Sequence, residues 1–383
     1  MTRPRHSSRV SQSESGGEMK RRDVRGSLPP REGQEGRERR EERRAAALGP
    51  VGRSRSSRLL STTTKIAMFL LALYVVIPFI VRLFPVVIAK CIFLNMLKIP
   101  FFVDLQHPEL LLNNTTNLYL TPEDGISVGV WHTVPASRGN EAHSQSQDWF
   151  EASLADDNPA VIYLHGNAGT RAAGHRIQLM KVLSASGFHV LALDYRGYGD
   201  STGEPSEEGL TFDAMHLYEW VKARKKISPV CIWGHSLGTG VATNVARLLE
   251  GKGRPADAVI LESPFTNIRD AVAHNLFAKL YRFFPGFEYF ILETPALNNI
   301  TFRNDENVKI LSSPLLILHA EDDHIVPVEL GKKLFKIAQA SRSSKDNVKL
   351  FLFPALMGYR HNNIHKEPRL PNITRDFVKS IKI

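Results

Sequence analysis

The stretch Gly234-His235-Ser236-Leu237-Gly238 follows the pattern G-x-S-x-G and decides the fold. A short apolar run, 230–233, precedes it, and a stretch with helical character, 239–249, follows it. A nucleophile elbow requires this strand-turn-helix setting, because the strained turn exposes the serine hydroxyl above a parallel sheet and crowds its small neighbours. The pattern therefore predicts that Ser236 is a nucleophile, with a structural serine in a tight turn as the alternative.

A candidate acid follows another buried strand further along the chain. The apolar run 315–318 predicts that strand, and the segment 319–327, which contains Glu321, Asp322 and Asp323, comes directly after it. Active sites of open α/β sheets lie beyond the carboxyl ends of the strands, so a carboxylate here can orient an imidazole. We select Asp323, which precedes the run His-Ile-Val-Pro, over the other two acids. The alternative is a solvated acidic loop.

A candidate base follows the last predicted strand. His361 lies in the loop after the strand 349–354, which completes the chain order Ser, Asp, His that this arrangement requires. His365 is the rival, but we place it in the segment leading to the last helix. His324 is too close in sequence to the acid. We therefore expect neutral His361 to take the Ser236 proton, with Asp323 fixing its tautomer.

Acyl-transfer chemistry also needs two backbone N–H donors aimed at the developing oxyanion. Leu237, the residue after the nucleophile, predicts the first donor. The strand 160–164 runs into His165-Gly166-Asn167-Ala168-Gly169, where the N–H of Asn167 predicts the second. His165 precedes the serine in the chain, so we expect it to support this loop by hydrogen bonding.

The pattern of apolar runs predicts an α/β fold with a mostly parallel sheet and helices on both faces. Two amino-terminal strands, 117–120 and 127–133, are expected to pair antiparallel, and a polar excursion, 138–157, follows them. The parallel strands are predicted at 160–164, 190–194, 230–233, 258–261, 315–318 and 349–353. The segment 264–305 is too long for a simple crossover and dense in aromatic residues, which predicts a cap that contacts an acyl chain.

The chain resembles the α/β-hydrolase superfamily, and within it the membrane-bound α/β-hydrolase-domain-containing protein 12 group, from about residue 66 to the carboxyl terminus. The motifs that carry the resemblance are 129–135 (GVWHTVP), 163–171 (YLHGNAGTR), 194–201 (DYRGYGDS), 233–240 (WGHSLGTG), 262–267 (ESPFTN) and 304–309 (NDENVK). The resemblance implies a lipase of lysophospholipids, especially lysophosphatidylserine, and of monoacylglycerols. Ser236, Asp323 and His361 match the family's triad.

Other functions compatible with the same residues are a protein or acyl-CoA thioesterase (a depalmitoylase), a peptidase, and an inactive hydrolase fold that serves as a scaffold. No cofactor and no metal are expected. Arg171, His175 and Arg196 lie near the predicted site loops and are candidates to hold an anionic head group, although structural pairing is the favoured interpretation for each.

The amino-terminal tail carries most of the chain's positive charge. Up to Lys65 there are 17 Lys or Arg against 8 Asp or Glu, a surplus of nine, while the whole chain carries a net charge of +10. This composition predicts disorder over 1–58. Nucleic-acid binding is not expected, because the apolar run 66–81 gives the arginines another role. Together with 59–65 it predicts one transmembrane helix over 59–82, and a cleaved signal peptide is the weaker alternative.

The positive tail predicts a cytoplasmic amino terminus, with the hydrolase domain, 111–383 including its cap 264–305, in the lumen of the endoplasmic reticulum. Sequons at Asn113, Asn114, Asn299 and Asn372 are candidate glycosylation sites. The segment 83–110 is either interfacial or packed on the hydrolase domain. The partners expected are therefore a lipid substrate and a membrane, and protein partners are unknown. Cys91 and Cys231 are poorly placed to pair.

Overall fold

A computed structural model describes residues 34–47, 54–342 and 347–381. The chain divides into two compact units between Leu71 and Ala72. In the first unit, the helix α1 (Gln34–Ala47) lies within the tail for which the sequence predicts disorder. Arg37 and Glu41 stand four residues apart there, a spacing that favours a helix. Of the rest of that tail, 54–58 begins the helix α2 (Ser54–Leu83), while 1–33 and 48–53 lie outside the described residues.

The second unit contains an eight-stranded sheet in the order β1-β2-β4-β3-β5-β6-β7-β8. The pairs β1·β2 and β2·β4 are antiparallel, and every other neighbouring pair is parallel. The predicted strands and the antiparallel amino-terminal pair are confirmed. The strands are β1 (Thr115–Glu123), β2 (Ile126–Thr133), β3 (Ala160–Leu164), β4 (His189–Leu193), β5 (Val230–His235), β6 (Ala258–Glu262), β7 (Leu315–Ala320) and β8 (Val348–Phe353).

Successive residues of the parallel strands point into two different apolar cores. In β3, for example, Ile162 and Leu164 belong to one core and Val161 and Tyr163 to the other. Side chains alternate between the faces of a strand, so a run that is apolar at every position requires cover on both sides. The sheet therefore carries helices on both faces, as the sequence predicts.

The helices that follow α1 alternate with the strands over most of the second unit. They are α2 (Ser54–Leu83), α3 (Pro85–Phe93), α4 (Gly139–Ala142), α5 (Gln147–Ser153), α6 (Gly174–Ala185), α7 (Glu207–Arg224), α8 (Leu237–Gly251), α9 (Ile268–His274), α10 (Leu276–Leu280), α11 (Asn304–Ile310), α12 (Val328–Ala340) and α13 (Leu370–Lys379). The predicted polar excursion after β2 contains α4 and α5. The predicted cap, between β6 and β7, contains α9 and α10.

One described helix is long and apolar enough to cross a membrane. The candidate span within α2 is Ser61–Leu83, which is 23 residues. This length meets the roughly 20 residues that the hydrocarbon core of a bilayer requires. The prediction of a single spanning helix agrees with this finding over the described residues.

Candidate active site

Ser236 lies on a strained turn between β5 and α8. Its backbone has φ of 53° and ψ of −119°, a conformation that residues other than glycine rarely adopt. A Cβ on Gly234 would collide with the backbone of Gly238, and one on Gly238 would collide with the Leu164 carbonyl. Both flanking glycines are thus required sterically. The backbone N–H of Ser236 donates to the Glu262 carbonyl at 2.9 Å, which ties the turn to β6.

The side chains of Ser236, His361 and Asp323 form one hydrogen-bonded chain. The Ser236 hydroxyl and His361 Nε2 lie 2.9 Å apart, and His361 Nδ1 lies 2.8 Å from Asp323 Oδ2. With Asp323 accepting from Nδ1–H, Nε2 is the free nitrogen that can accept the serine proton. The structure therefore brings together the three residues that the sequence selects from three different loops.

Three donors bond the Asp323 carboxylate directly, and His319 lies against it at 3.4 Å. The backbone N–H groups of Ile325 and Val326 donate to Oδ1 at 2.9 Å each, and His361 donates to Oδ2. Burial would raise the pKa of this carboxyl, but hydrogen bonds from His319 and His361 outweigh that effect and hold the pKa far below its usual range. Asp323 is therefore ionised whenever the protein is folded near neutral pH.

His319 is a fourth member of this arrangement that the sequence analysis did not select. Its Nε2–H donates to the Val326 carbonyl at 2.9 Å and lies 3.4 Å from Asp323 Oδ2. The ring is fully buried against Gly331, where any Cβ would collide with it. The signal was present in the sequence, since His319 is the penultimate residue of the strand that presents the acid, four residues before Asp323.

The rival residues occupy other positions. His365 lies in a short 3₁₀ turn, Ile364–Lys366, and its Nδ1–H donates to the Asn362 carbonyl at 3.1 Å. Asp322 supports the base loop, because its Oδ1 accepts the backbone N–H of Arg360 at 2.9 Å. The loops that carry the acid and the base are thus connected directly.

The two candidate oxyanion donors lie in one cavity with the serine. Asn167 and Leu237 both line it together with Ser236. The loop of Asn167 approaches the nucleophile closely, since a Cβ on Gly166 would lie 3.0 Å from the Ser236 Cβ. The predicted support role of His165 is confirmed: its Nδ1–H donates to the Gly166 carbonyl at 2.6 Å, within the same loop.

The juxtamembrane segment holds the other side of the Asn167 loop. The backbone N–H groups of Ala168, Gly169 and Thr170 donate to the carbonyls of Phe93, Leu97 and Ile99, at 3.1, 2.6 and 2.9 Å respectively. The Tyr198 hydroxyl also donates to the Phe93 carbonyl, at 2.6 Å. The end of α3 and the residues that follow it therefore pack on the hydrolase domain, one of the two alternatives that the sequence leaves open.

The cavity beside Ser236 is predominantly apolar and has a volume of about 440 Å³. Three groups of residues form its walls: the end of α2 with α3, the cap, and the loops that carry the triad. The lining residues are Ile77, Val81, Val87, Ile88, Cys91, Ile92, Asn167, Ser236, Leu237, Phe265, Ile268, Ala271, Val272, Asn275, Phe277, Ala278, Ile291, Ile325 and Val326. Such a site suits a hydrocarbon chain more than a polar ligand.

The basic residues considered for a head group are committed to internal ion pairs. Arg171 is buried and bonds Asp194 at 2.8 Å and Asp200 at 2.6 Å. Arg196 bonds Asp213 at 2.7 Å. These pairs are structural, which agrees with the favoured interpretation.

His175, the third candidate for the head group, is half-buried near the triad. Burial lowers the pKa of its ring to about 3, so it is neutral. It therefore offers no positive charge to an anionic head group.

A buried acid under the elbow also escaped the sequence analysis. Burial raises the pKa of Glu262 to about 7, and its Oε2 accepts the Trp233 indole N–H at 2.9 Å. Within the described ranges, no group of three or more His, Cys, Asp or Glu side chains is placed to share a metal ion. Cys91 and Cys231 are both free.

The sheet order and the elbow define an α/β hydrolase. A family model described as the alpha/beta hydrolase fold matches residues 159–301. The solved structure of the Pyrococcus furiosus esterase Pf2001 superimposes with a TM-score of 0.52 at 19% identity, covering 74% of this chain and 97% of that one. An α/β hydrolase from Vibrio vulnificus superimposes with a TM-score of 0.51 at 22% identity, covering 70% of this chain and 81% of that one. At these identities the likeness shows the fold alone.

Close relatives define the family more narrowly. The lysophosphatidylserine lipase ABHD12 of Gallus gallus is 52% identical over 316 residues, 82% of this chain and 83% of that protein. The protein of the same name from Danio rerio is 50% identical over 330 residues, 86% of each chain. Protein ABHD12B of Homo sapiens is 54% identical over 287 residues, 75% of this chain and 79% of that protein. The chain therefore belongs to the ABHD12 family of α/β hydrolases, a family of serine ester hydrolases.

Proposed function

We propose that this chain hydrolyses the acyl ester of lysophospholipids, with lysophosphatidylserine as the preferred substrate, and that it also accepts monoacylglycerols. The observation that carries the proposal is the position of the Ser236 hydroxyl, which is hydrogen-bonded to His361 and opens into the apolar cavity. The family relatives named lysophosphatidylserine lipase support the choice of head group.

The catalytic roles follow from the geometry. His361 Nε2 takes the Ser236 proton as Oγ attacks the ester carbonyl, while the N–H groups of Leu237 and Asn167 stabilise the oxyanion. The intermediate collapses by breaking the bond between carbonyl carbon and alcohol oxygen, and His361 returns the proton to the departing alcohol. Water then attacks the acyl-enzyme by the same route and releases the fatty acid. Asp323, held ionised, stabilises the imidazolium in both steps.

The cavity explains why the substrate is a lipid. Each methylene that leaves water on binding contributes about 0.8 kcal/mol, so an acyl chain supplies most of its own binding free energy in such a site. The walls offer few polar atoms, chiefly those of Asn167 and Asn275, for a peptide backbone. This favours a lipid ester over the peptidase alternative.

A substrate panel tests the proposal. Membranes that contain the full chain or its Ser236→Ala variant are given lysophosphatidylserine, lysophosphatidylcholine, monoacylglycerol and an S-palmitoylated peptide. We expect release of fatty acid from lysophosphatidylserine at the highest rate, and only with Ser236 present. Preferred cleavage of the thioester would identify a depalmitoylase instead, and no cleavage of any substrate would favour the scaffold alternative.

We further propose that the chain resides in the endoplasmic reticulum membrane, with its basic amino terminus in the cytoplasm and the hydrolase domain in the lumen. The charge of the tail supports this orientation. Asn113, Asn299 and Asn372 are exposed and Asn114 is half-buried, so the sequons are accessible to glycans. In sealed microsomes, we expect a hydrolase domain that resists protease and shifts in mobility on endoglycosidase treatment. Degradation without detergent and no mobility shift would contradict this topology.

A further inference from the structure

Aromatic side chains of the cap pack against the last turns of the candidate membrane helix. Tyr74 of α2 stacks on Tyr281 with ring centroids 4.7 Å apart. Five residues later, Phe79 packs on Phe290, with ring centroids 4.6 Å apart. The Arg82 guanidinium then lies 4.0 Å from the Tyr289 ring centroid. The cap therefore follows α2 over about two turns.

These contacts place the cap beside the span and not beyond its end. Tyr74 precedes Leu83, the last residue of the candidate span, by nine residues, which is roughly 14 Å at the helical rise of 1.5 Å. The Tyr74 hydroxyl lies 3.5 Å from the Leu280 carbonyl, so α10 lies at the same level. Wherever the apolar stretch of α2 lies in a bilayer, α10 must enter the adjoining part of one leaflet.

The cap exposes three large apolar side chains at this level, together with Lys279 of α10. Leu276, Leu280 and Phe283 are 84%, 64% and 88% exposed, although large apolar side chains favour burial. Exposed apolar patches of this kind mark interaction surfaces. Arg282 lies over the Phe283 ring, at 5.7 Å from its centroid, which puts a cation at the edge of the patch where lipid phosphates would lie.

The active-site cavity opens next to this patch. Val87 of α3 and Phe277 of α10 line the cavity and are also about 40% exposed, so they mark its mouth. Leu83 and Phe84 continue the exposed apolar surface on the α3 side of that mouth. The mouth is therefore bordered by apolar surface on both sides, immediately beside the spanning helix.

From these observations we propose that the cap surface formed by Leu276, Leu280 and Phe283 inserts into the bilayer beside α2, so that lipid esters enter the cavity laterally from the leaflet between α3 and α10. The occupant of the patch is the bilayer, because the patch continues the surface of the candidate span. The proposal rests on the proposed function for its substrate, and insertion itself can be measured without any activity.

Insertion is tested with the full chain in nanodiscs whose lipids carry bromine on their acyl chains. Phe283→Trp adds one indole to the four native tryptophans, and Ile227→Trp is the matched control. Ile227 is also exposed, but it precedes β5 and so lies at the edge of the sheet opposite Ser236. We expect brominated lipid to quench more than about half of the fluorescence added at position 283 and little of that added at 227. Equal quenching at the two positions would overturn the proposal.

Delivery from the leaflet is tested with Leu280→Asp/Phe283→Asp, two residues that do not line the cavity. Hydrolysis of lysophospholipid in vesicles should fall at least about tenfold, because each apolar side chain that would enter the bilayer is replaced by a charge that the bilayer excludes. Hydrolysis of a water-soluble nitrophenyl butyrate and labelling by a fluorophosphonate should stay unchanged. Ile227→Asp should alter none of these.

Two other outcomes would overturn the proposal. Loss of nitrophenyl butyrate hydrolysis in the double variant would show that the patch supports the fold. Conversion of a dimer to a monomer by the double variant, with no quenching at position 283, would make the patch a contact between copies. An unmodified chain that neither labels nor hydrolyses any ester would instead refute the proposed function, and the quenching experiment would still decide on insertion.

Discussion

His235, the residue before the nucleophile, donates a hydrogen bond from Nε2 to the main-chain carbonyl of His361 at 2.9 Å. Burial, together with the neighbouring His361 and His175, holds the pKa of His235 well below its ordinary value, so the ring is neutral and this N–H is its one donor. The elbow therefore positions the backbone of the general base as well as the nucleophile.

This hydrogen bond from His235 to the His361 carbonyl predicts a lower kcat when residue 235 loses its donor. His235→Phe keeps a ring of similar size but leaves the His361 carbonyl unpaired, which costs on the order of 1–3 kcal/mol and displaces the base. We expect kcat to fall by about tenfold or more with little change in KM, because His235 does not line the cavity. Steady-state kinetics on a soluble short-chain ester check this. His365→Ala is the control, because it removes a nearby ring that does not bond the His361 carbonyl, and its kcat should be close to that of unmodified protein. An equal loss of kcat in the two variants would contradict the role of His235.

A second prediction concerns the wall that α2 contributes to the cavity. Val81→Trp adds bulk inside the cavity, so we expect the preferred acyl chain to become shorter by several carbons while short esters are still cleaved. Ile80→Trp is the matched control, because Ile80 is exposed on another face of the same helix. Hydrolysis rates across a series of chain lengths provide the measurement. An identical chain-length profile for the two variants would show that α2 does not form part of the acyl-binding site.

The support of the Asn167 loop by the juxtamembrane segment predicts a specific effect at Gly169. This residue has φ of +66°, and a Cβ there would lie 2.9 Å from the Ile99 carbonyl. Gly169→Ala should therefore displace an oxyanion donor and lower kcat by at least about tenfold. Gly187→Ala is the control for backbone strain, since Gly187 also has a positive φ, +88°, but nothing within 4 Å of its added Cβ.

The two glycine variants separate strain from collision. Both should lose a similar amount of stability from the left-handed backbone, about 1 kcal/mol. Only Gly169→Ala should also lose activity, because only there does the added Cβ displace the Asn167 loop. The measurements are the unfolding midpoint and the kcat of each variant. A normal kcat in Gly169→Ala would show that segment 93–99 does not position the loop.

The buried Glu262 carboxyl predicts a pH-dependent stability. Its pKa is raised from 4.5 to about 7 by burial, so between these values the folded protein retains a proton that the unfolded chain has lost. The folded state is therefore destabilised as pH rises from about 4.5 through 7, and the loss is complete above 7, at up to about 3 kcal/mol. Glu262→Gln keeps an acceptor for the Trp233 indole but cannot ionise. We expect its stability relative to unmodified protein to increase between pH 5 and pH 8 in denaturant unfolding, and a constant difference would contradict the shifted pKa.

The sequence predicted the residues of the candidate site where local pattern and chain order carry the information. The flanking glycines identify Ser236, and the ends of β7 and β8 point to Asp323 and His361, because the carboxyl ends of parallel strands meet at one edge. The strands of the sheet were also predictable from local pattern, because their apolar runs are short and bounded by turn residues.

Other parts of the arrangement depend on contacts that residue type does not specify. The donors from His319 and His235 go to main-chain carbonyls, and the carbonyls of Phe93, Leu97 and Ile99 could belong to any residue. These bonds form only because distant loops meet in three dimensions. The helix α1 shows the converse case, in which composition predicts disorder while the local spacing of charges favours a helix.

The central claim is that Ser236, activated by His361, forms the acyl-enzyme. The most direct measurement is reaction of the full chain in membranes with a fluorophosphonate, followed by peptide mass spectrometry to find the modified residue. We predict a single adduct on Ser236, no adduct in Ser236→Ala, and labelling slowed by at least about a hundredfold in His361→Ala. An adduct on another serine, or undiminished labelling of Ser236→Ala, would contradict this account.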